Sequence, residues 1–108
     1  LLDVFQPDLG VCGGITEALR IASLASAFQV EVAPHVWAGS ILLAATAHFA
    51  LACPQVAILE YPAAANPLIA VTSAEPWPIR DGVLVIPDRP GLGVALNDEI
   101  LQRYATPH

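Results

Sequence analysis

Residues 2–35, LDVFQPDLGVCGGITEALRIASLASAFQVEVAPH, decide the fold because they contain a complete strand, helix and strand. The short apolar runs Leu2 to Phe5 and Gln29 to Ala33 are each followed within two residues by a proline and are typical of buried strands. Between them, Gly13-Gly14 opens a stretch with helical spacing of apolar residues, from about Ile15 to Phe28. Two strands joined through a helix predict a parallel pair with a right-handed crossover.

The same pattern continues toward the C-terminus. Gly39-Ser40 starts a second predicted helix that runs to about Cys53 and is ended by Pro54, and Val56 to Leu59 is a third predicted strand. The order of strand, helix, strand, helix and strand predicts an α/β fold with a parallel sheet.

Ionisable side chains follow each of the three predicted strands. Asp8, His35 and Glu60 lie at or just beyond the strand ends, separated by 27 and 25 positions. Because the carboxyl ends of parallel strands meet at one edge of a sheet, these side chains are expected to share one site. Each also has a simpler interpretation: Asp8 could cap a turn, His35 could be a core histidine, and Glu60 could be a solvated acid. Their common spacing favours the site.

The chain is more apolar than 108 residues can easily bury. Its hydrophobic fraction is 56%, against about 45–50% in globular domains, so part of the surface is expected to meet a partner. The longest apolar stretch, Ile41 to Cys53, is interrupted by Thr46 and His48 and is shorter than the ~20 residues needed to cross a bilayer. We therefore expect a buried helix there, in which His48 is structural or exposed rather than catalytic.

Charge and cysteine content argue against several classes of function. Ten acids against four arginines give a net charge of −6, which disfavours binding to nucleic acid or to an anionic membrane. Cys12 and Cys53 lack CxxC spacing and predict free thiols in a reducing compartment, which is by default the cytoplasm. The chain opens on Leu1 without a visible targeting segment, and we expect it to be part of a longer protein.

The C-terminal third is predicted to be less regular. Prolines interrupt any periodicity over positions 61–78, including Asn66-Pro67, and predict a long connection. Asp81-Gly82 predicts the bend of a short hairpin. A helix from about Asp98 to Tyr104, with Asn97 as its N-cap, is expected to follow.

Four stretches of the sequence resemble the enolase superfamily, in its mandelate-racemase-like subgroup. They are QPDLGVCGGITEALRIA (6–22), VAPHVWAGSILLAATAHFA (32–50), LEYP (59–62) and DGVLVIPDRPGLGV (81–94). The resemblance implies that residues 1–74 form about the last three βα units of a modified TIM-type barrel. Residues 75–108 would return to pack on an α+β capping domain. Because three strands cannot close a barrel of eight, the missing N-terminal part of the protein is the implied partner.

The resemblance also implies roles for the residues at the strand ends. Asp8 and His35 would form a hydrogen-bonded dyad in which His35 removes the proton next to a substrate carboxylate, giving an enediolate. Glu60 would contact the substrate, and Trp37, two residues past His35, would be either pocket wall or packing. A magnesium ion would be bound by three carboxylates upstream of Leu1, where the family also has a Lys-x-Lys base. This chain contains no lysine, and it is expected to supply no metal ligand.

Within the subgroup, the sequence motifs PHVW and GGITEALRIA are most similar to those of enzymes that act on acid sugars. The resemblance implies a dehydratase acting on an aldonate or aldarate as the first expectation, with a sugar-lactone cycloisomerase beside it. A racemase or epimerase is the next alternative, and it would need a second base on the opposite face of the substrate. A non-catalytic interaction remnant of a barrel is the alternative from another class. The complete enzyme is also expected to be a homo-oligomer.

Overall fold

The computed structural model describes residues 2–63 and 73–105, in which short strands alternate with helices. In chain order the elements are β1 Val4–Phe5, α1 Leu9–Cys12, α2 Ile15–Ala27, β2 Glu31–Val32, α3 Ser40–Ala52, β3 Ile79–Arg80, β4 Val83–Leu84 and α4 Asp98–Tyr104. β1 pairs with β2 in parallel, and α2 lies between them in the chain. The predicted unit of strand, helix and strand is therefore confirmed.

β2 is a central strand, because its backbone pairs on both sides. On the first side, the N–H of Ala33 donates to the carbonyl of Phe5 at 3.0 Å. The ladder continues past the regular strand, since the N–H of His35 donates to the carbonyl of Pro7 at 3.1 Å. A parallel bridge then sets Asp8 opposite His35. The two candidate site residues are thus cross-strand neighbours.

On its second side, β2 meets the third predicted strand over a very short distance. The N–H of Val32 donates to the carbonyl of Gln55 at 3.0 Å, and the N–H of Ala57 donates back to Val32 at 3.3 Å. The next residue to face this side is Pro34, two positions past the end of β2, and it has no N–H to donate. The prediction of a regular strand over Val56 to Leu59 is therefore wrong beyond its first residue, which forms an isolated parallel bridge.

Side chains from α1, α2, α3 and β2 form the core of this region. The buried cluster consists of Leu9, Ala18, Ala22, Ala25, Val32, Phe49 and Cys53. Phe49 and Val32 are the largest of its fully buried side chains. α2 contributes only alanines to the cluster, and such small side chains let a helix backbone lie close to its neighbours.

α1 is a single helical turn that the apolar spacing does not predict. Asp8 is its N-cap residue, and Gly13, with φ 108°, ends it in the left-handed conformation. The prediction that Gly13-Gly14 opens α2 is therefore incomplete, because Gly13 closes one helix before the next begins at Ile15. Glycine adopts this φ without the strain that a Cβ would introduce.

α3 is apolar on every side but only 13 residues long. Thr46 and Phe49 lie on its buried face, whereas Ile41 and Leu51 are exposed. The expected buried helix is thus half covered by the described residues, and the exposed half provides the apolar surface that the composition predicts. Among the helices of residues 2–63 and 73–105, none is both long and apolar enough to span a membrane.

The C-terminal region contains the two predicted local structures. β3 and β4 form an antiparallel hairpin. At its bend, Asp81-Gly82 has φ values of 52° and 78°, as a type I′ turn requires. α4 is capped by Asn97, whose side-chain oxygen accepts a hydrogen bond from the N–H of Ile100 at 3.3 Å. Of the predicted long connection, Asn66-Pro67 lies outside the described residues.

Candidate active site

The candidate site is centred on a contact between the carboxylate of Asp8 and the imidazole of His35. Oδ2 of Asp8 lies 2.8 Å from Nδ1 of His35. The two residues oppose each other in the parallel ladder, and neighbouring strands run about 4.8 Å apart, so their side chains come within hydrogen-bonding distance. The structure therefore brings together two of the three ionisable residues that the sequence predicts at strand ends.

The dyad is sheltered unevenly. The side chain of Asp8 is 15% exposed, whereas that of His35 is 39% exposed. Val32, which lies in the helix-covered core, is three residues before His35, and strand alternation therefore directs His35 to the opposite face of the sheet. Asp8 is thus a half-buried partner and His35 is the member that a ligand can reach.

The simpler interpretation of Asp8 is confirmed as well, because this residue also caps a turn. Its second oxygen, Oδ1, accepts a hydrogen bond from the backbone N–H of Gly10 at 2.7 Å. The carbonyl of Asp8 accepts from the N–H groups of Val11 and Cys12 as α1 begins. The carboxylate therefore links α1 to His35, with one oxygen bonded to each.

This arrangement determines the chemistry of the imidazole. An ionised carboxylate can only accept, so the contact with Asp8 requires Nδ1 of His35 to donate its proton. In the neutral ring the lone pair then lies on Nε2, which has no hydrogen-bond partner among residues 2–63 and 73–105. A histidine held in one tautomer and orientation by a carboxylate can act as a general base.

Within the described part of the chain, no hydrogen bond, ion pair or ring contact joins Glu60 or Trp37 to the dyad. Glu60 is exposed and follows the short pairing at Val56. The indole of Trp37 is 67% exposed, so it does not pack into the core of this chain. The roles of both residues in binding a substrate stay predictions.

His48 is half-buried on α3 and serves to attach another segment. Its Nε2 lies 3.2 Å from the backbone carbonyl of Leu92. Its ring meets the indole of Trp77 edge to face, with the ring centres 6.2 Å apart. These contacts account for His48 structurally, in agreement with the prediction.

Both cysteines are free thiols, as predicted, and neither lies in the dyad. Cys53 is buried at the end of α3, and burial raises the pKa of its thiol. Cys12 is half-buried at the end of α1, where its Sγ lies 3.9 Å from the carbonyl of Gly14. A thiol with a raised pKa is a poor nucleophile at neutral pH, so Cys53 adds no reactive group to the site.

Potential metal ligands do not cluster in the part of the chain that the structure describes. Within residues 2–63 and 73–105, no group of three or more histidine, cysteine, aspartate or glutamate side chains is placed to bind a metal ion. The residues described do not form a site for the magnesium ion that the resemblance implies.

The sequence placed Asp8 and His35 in one site and offered the capping role of Asp8 only as an alternative to that site, so the bond from Gly10 that fixes Asp8 was missed. The bond from the N–H of Gly10 depends on α1, a turn too short for hydrophobic periodicity to detect. A local signal was available, since Asp8 is a favoured N-cap residue type and Gly13 is a favoured C-terminal one.

Comparison with known proteins extends these observations. Residues 1–100 match the family described as enolase C-terminal domain-like. The D-galactarolactone cycloisomerase of Agrobacterium fabrum is 36% identical over 98% of this chain and 30% of its own length. The D-galactonate dehydratase of Xanthomonas campestris is 37% identical over 94% of this chain and 28% of its own length.

A solved structure of a relative has a fold similar to that of this chain. The mandelate racemase/muconate lactonizing enzyme from Jannaschia sp. CCS1 superposes with a TM-score of 0.85 at 35% identity. The match covers 98% of this chain and 27% of that protein. The chain therefore spans less than a third of the length of each of these relatives.

Proposed function

The chain belongs to the enolase C-terminal domain-like family, and we propose that the complete protein removes the proton next to a substrate carboxylate, with His35 as the base. The observation that carries this proposal is the 2.8 Å contact between Asp8 and His35 at paired strand ends. That contact leaves Nε2 of His35 as the basic atom and directs it away from the helix-covered core.

In the proposed reaction, Nε2 of His35 takes the proton from the α-carbon of the substrate. The electron pair of the broken C–H bond moves into the carboxylate and gives an enediolate. Asp8 stabilises the imidazolium that forms, because its carboxylate accepts the hydrogen bond from Nδ1. Proton transfer of this kind by a positioned side chain contributes about 10²–10⁴-fold to a rate.

Dehydration of an acid sugar is the outcome that we propose first. The imidazolium returns its proton to the hydroxyl leaving from the β-carbon, so that one water is lost and an enol remains. The names of the relatives support acid sugars as the substrate class, since one is a D-galactonate dehydratase. A cycloisomerase is the second candidate, supported by the D-galactarolactone cycloisomerase among the relatives.

Racemisation or epimerisation is a weaker candidate. It needs a second base that delivers a proton to the opposite face of the same carbon. The family uses a Lys-x-Lys motif there, and this chain contains no lysine. We propose that the rest of the protein supplies that motif and the three carboxylates for magnesium.

The remaining proposals concern the residues that contact the substrate, the oligomeric state and the cellular location. We propose that Glu60 contacts the substrate. Trp37 is exposed two residues past His35 and is proposed as a wall of the substrate pocket. The complete enzyme is proposed to be a cytoplasmic homo-oligomer.

The decisive experiment replaces the base in the complete protein. We expect His35→Ala to lower kcat on a panel of aldonates and aldarates by about 10²-fold or more. Exchange of the α-proton with deuterated solvent, followed by NMR, should be lost in parallel. His48→Gln is the matched control, because His48 is a second half-buried histidine outside the dyad, and it should retain both activities. Full turnover by His35→Ala would mean that this chain supplies no base to the reaction, and it would favour a non-catalytic interaction role for this part of the protein.

A further inference from the structure

We propose that Gly10 is a positioning residue for the dyad: its backbone N–H and its lack of a side chain hold the Asp8 carboxylate in the orientation that His35 requires. This inference rests on the proposed function, because it concerns the same base. It adds a residue of α1 to the machinery of the site.

The argument starts from the two bonds of one carboxylate. Oδ1 of Asp8 accepts from the N–H of Gly10 at 2.7 Å, and Oδ2 lies 2.8 Å from Nδ1 of His35. One bond alone would leave the carboxylate free to rotate about its Cβ–Cγ axis. With both bonds made, the plane of the carboxylate is fixed, and so is the direction of the imidazole that donates to it.

Space explains why a glycine stands at this position. A Cβ built on Gly10 would lie 3.1 Å from Oδ1 of Asp8. On another side it would meet Cδ1 of Leu42, from α3, at 3.6 Å. The contact with Leu42 is ordinary packing, whereas the contact with Oδ1 is closer than carbon and oxygen normally approach. The carboxylate oxygen is therefore the atom that must move.

The backbone conformation at position 10 does not explain why this residue is a glycine. Gly10 lies inside α1 and is not among the glycines with positive φ, which are Gly13, Gly14, Gly82, Gly91 and Gly93. Within a helix, glycine is less favourable than alanine because it has more conformational freedom to lose. The cost to α1 is offset by the room that Gly10 leaves for Asp8.

Replacing Gly10 by alanine should therefore separate local stability from catalysis. Alanine is the better helix former, so Gly10→Ala should not unfold α1. Its Cβ should displace Oδ1 of Asp8 by a few tenths of an ångström and weaken the bond to Nδ1 of His35. Loss of one charge-assisted hydrogen bond of this kind corresponds to roughly 10-fold in rate.

The test uses the complete protein and compares Gly10→Ala with Val11→Ala. Val11 is the next residue of α1, and its side chain is 84% exposed. For Gly10→Ala we expect kcat to fall about 10-fold with KM within about 2-fold, because the base rather than the binding of substrate is disturbed. Val11→Ala should leave both constants unchanged.

A spectroscopic measurement distinguishes positioning from a general structural effect. In protein labelled with ¹⁵N-histidine, the signals of His35 report which ring nitrogen carries the proton, and His35→Ala assigns them. We expect the Nδ1–H tautomer to dominate in the parent protein and in Val11→Ala, and to lose population in Gly10→Ala. If kcat and the tautomer population are both unchanged in Gly10→Ala, the inference is overturned.

The failure of this inference can be told apart from the failure of the proposed function. If His35→Ala keeps full activity, the proposed function fails whatever Gly10→Ala does. If His35→Ala is inactive and Gly10→Ala is indistinguishable from the parent, only the role of Gly10 is lost. A double variant adds a further check. In the Asp8→Asn background, Gly10→Ala should have little additional effect on kcat, and an independent 10-fold loss there would contradict positioning through Asp8.

Discussion

Residues 2–53 and residues 73–105 are held in place by different interactions. The first region buries a cluster of apolar side chains contributed by three helices, a strand and Cys53, which directly follows α3. In the second region only Ser73 and Gly93 are buried, and α4 has no buried residue. The first region therefore draws its stability from burial, and the second from turns, helix caps and a small number of attachments.

Those attachments reach α3 from its outer side. His48 bonds the carbonyl of Leu92, and the indole of Trp77 lies edge-on to the His48 ring while its Nε1–H donates to Gly93 at 3.3 Å. An antiparallel bridge from Ser73 to Leu96 closes the segment on itself. The dyad therefore lies in the well-packed region, and residues 73–105 depend on that region for anchorage.

The largest effect is expected from emptying the core of the first region. Phe49→Ala removes the largest fully buried side chain and should lower the free energy of unfolding by about 3–5 kcal/mol. Tyr104→Ala, in exposed α4, should change it by less than about 1 kcal/mol. Urea unfolding of the complete protein measures both. Equal losses in the two variants would remove the distinction between the regions.

The next prediction compares two helix caps, one in each region. Asp8 caps α1 and Asn97 caps α4, and each side chain accepts from a backbone N–H of the first turn. Aspartate and asparagine are about equally good in this position, so Asp8→Asn and Asn97→Asp should both fold. Only Asp8→Asn removes a carboxylate from His35. It should lower kcat by about 10²-fold, which corresponds to a rise of about 2.7 kcal/mol in the activation free energy.

Asn97→Asp is the control for this pair of variants, and its kcat should match that of the parent. If both variants lost activity equally, the effect would come from the helix ends and not from the dyad. If neither lost activity, the Asp8 carboxylate would have no part in the reaction.

The sequence was sufficient for those features that depend on local pattern. The spacing of apolar residues predicted α2 and α3 to within one or two residues of their ends, and Asp81-Gly82 predicted the hairpin bend. A shared site for Asp8 and His35 could be predicted because parallel strand ends converge, whereas their hydrogen bond was implied only by the family resemblance. Asp8 and His35 proved to be direct neighbours in the ladder.

Other features depend on interactions that the spacing of apolar residues does not encode. The third strand extends no further than Val56, because Pro34 on the facing edge has no N–H, a consequence visible only when the register is known. The contact between Gly10 and Asp8 depends on a single turn of helix. Glu60 could be assigned by position alone, and its place relative to the dyad depends on residues beyond the described ladder.

A smaller effect is expected where the two regions meet. His48→Ala removes the hydrogen bond to Leu92 and the edge contact with Trp77, and should lower the free energy of unfolding by about 1–2 kcal/mol. The loss should appear first as faster proteolytic cleavage within residues 73–105. His48→Gln retains a side-chain donor and should be cleaved more slowly than His48→Ala. Unchanged cleavage in both variants would show that the segment is held elsewhere.

The smallest effects concern one exposed ion pair in each region. Arg20 pairs with Glu17 one turn away on α2, whereas Arg89 pairs with Glu75 across fourteen positions of the C-terminal segment. Exposed pairs contribute about 0–1 kcal/mol and are screened by salt. Because α2 is already ordered by its buried alanines, Arg20→Gln should lower the free energy of unfolding the least. Arg89→Gln should cost more, since its pair joins parts of a segment with few other contacts. Thermal unfolding at low and high salt tests this order, and the difference should vanish at about 1 M salt. If Arg20→Gln lowered the free energy of unfolding more than Arg89→Gln, surface ion pairs would contribute most to stability in the region with the larger buried core. That result would contradict the expected difference between the two regions.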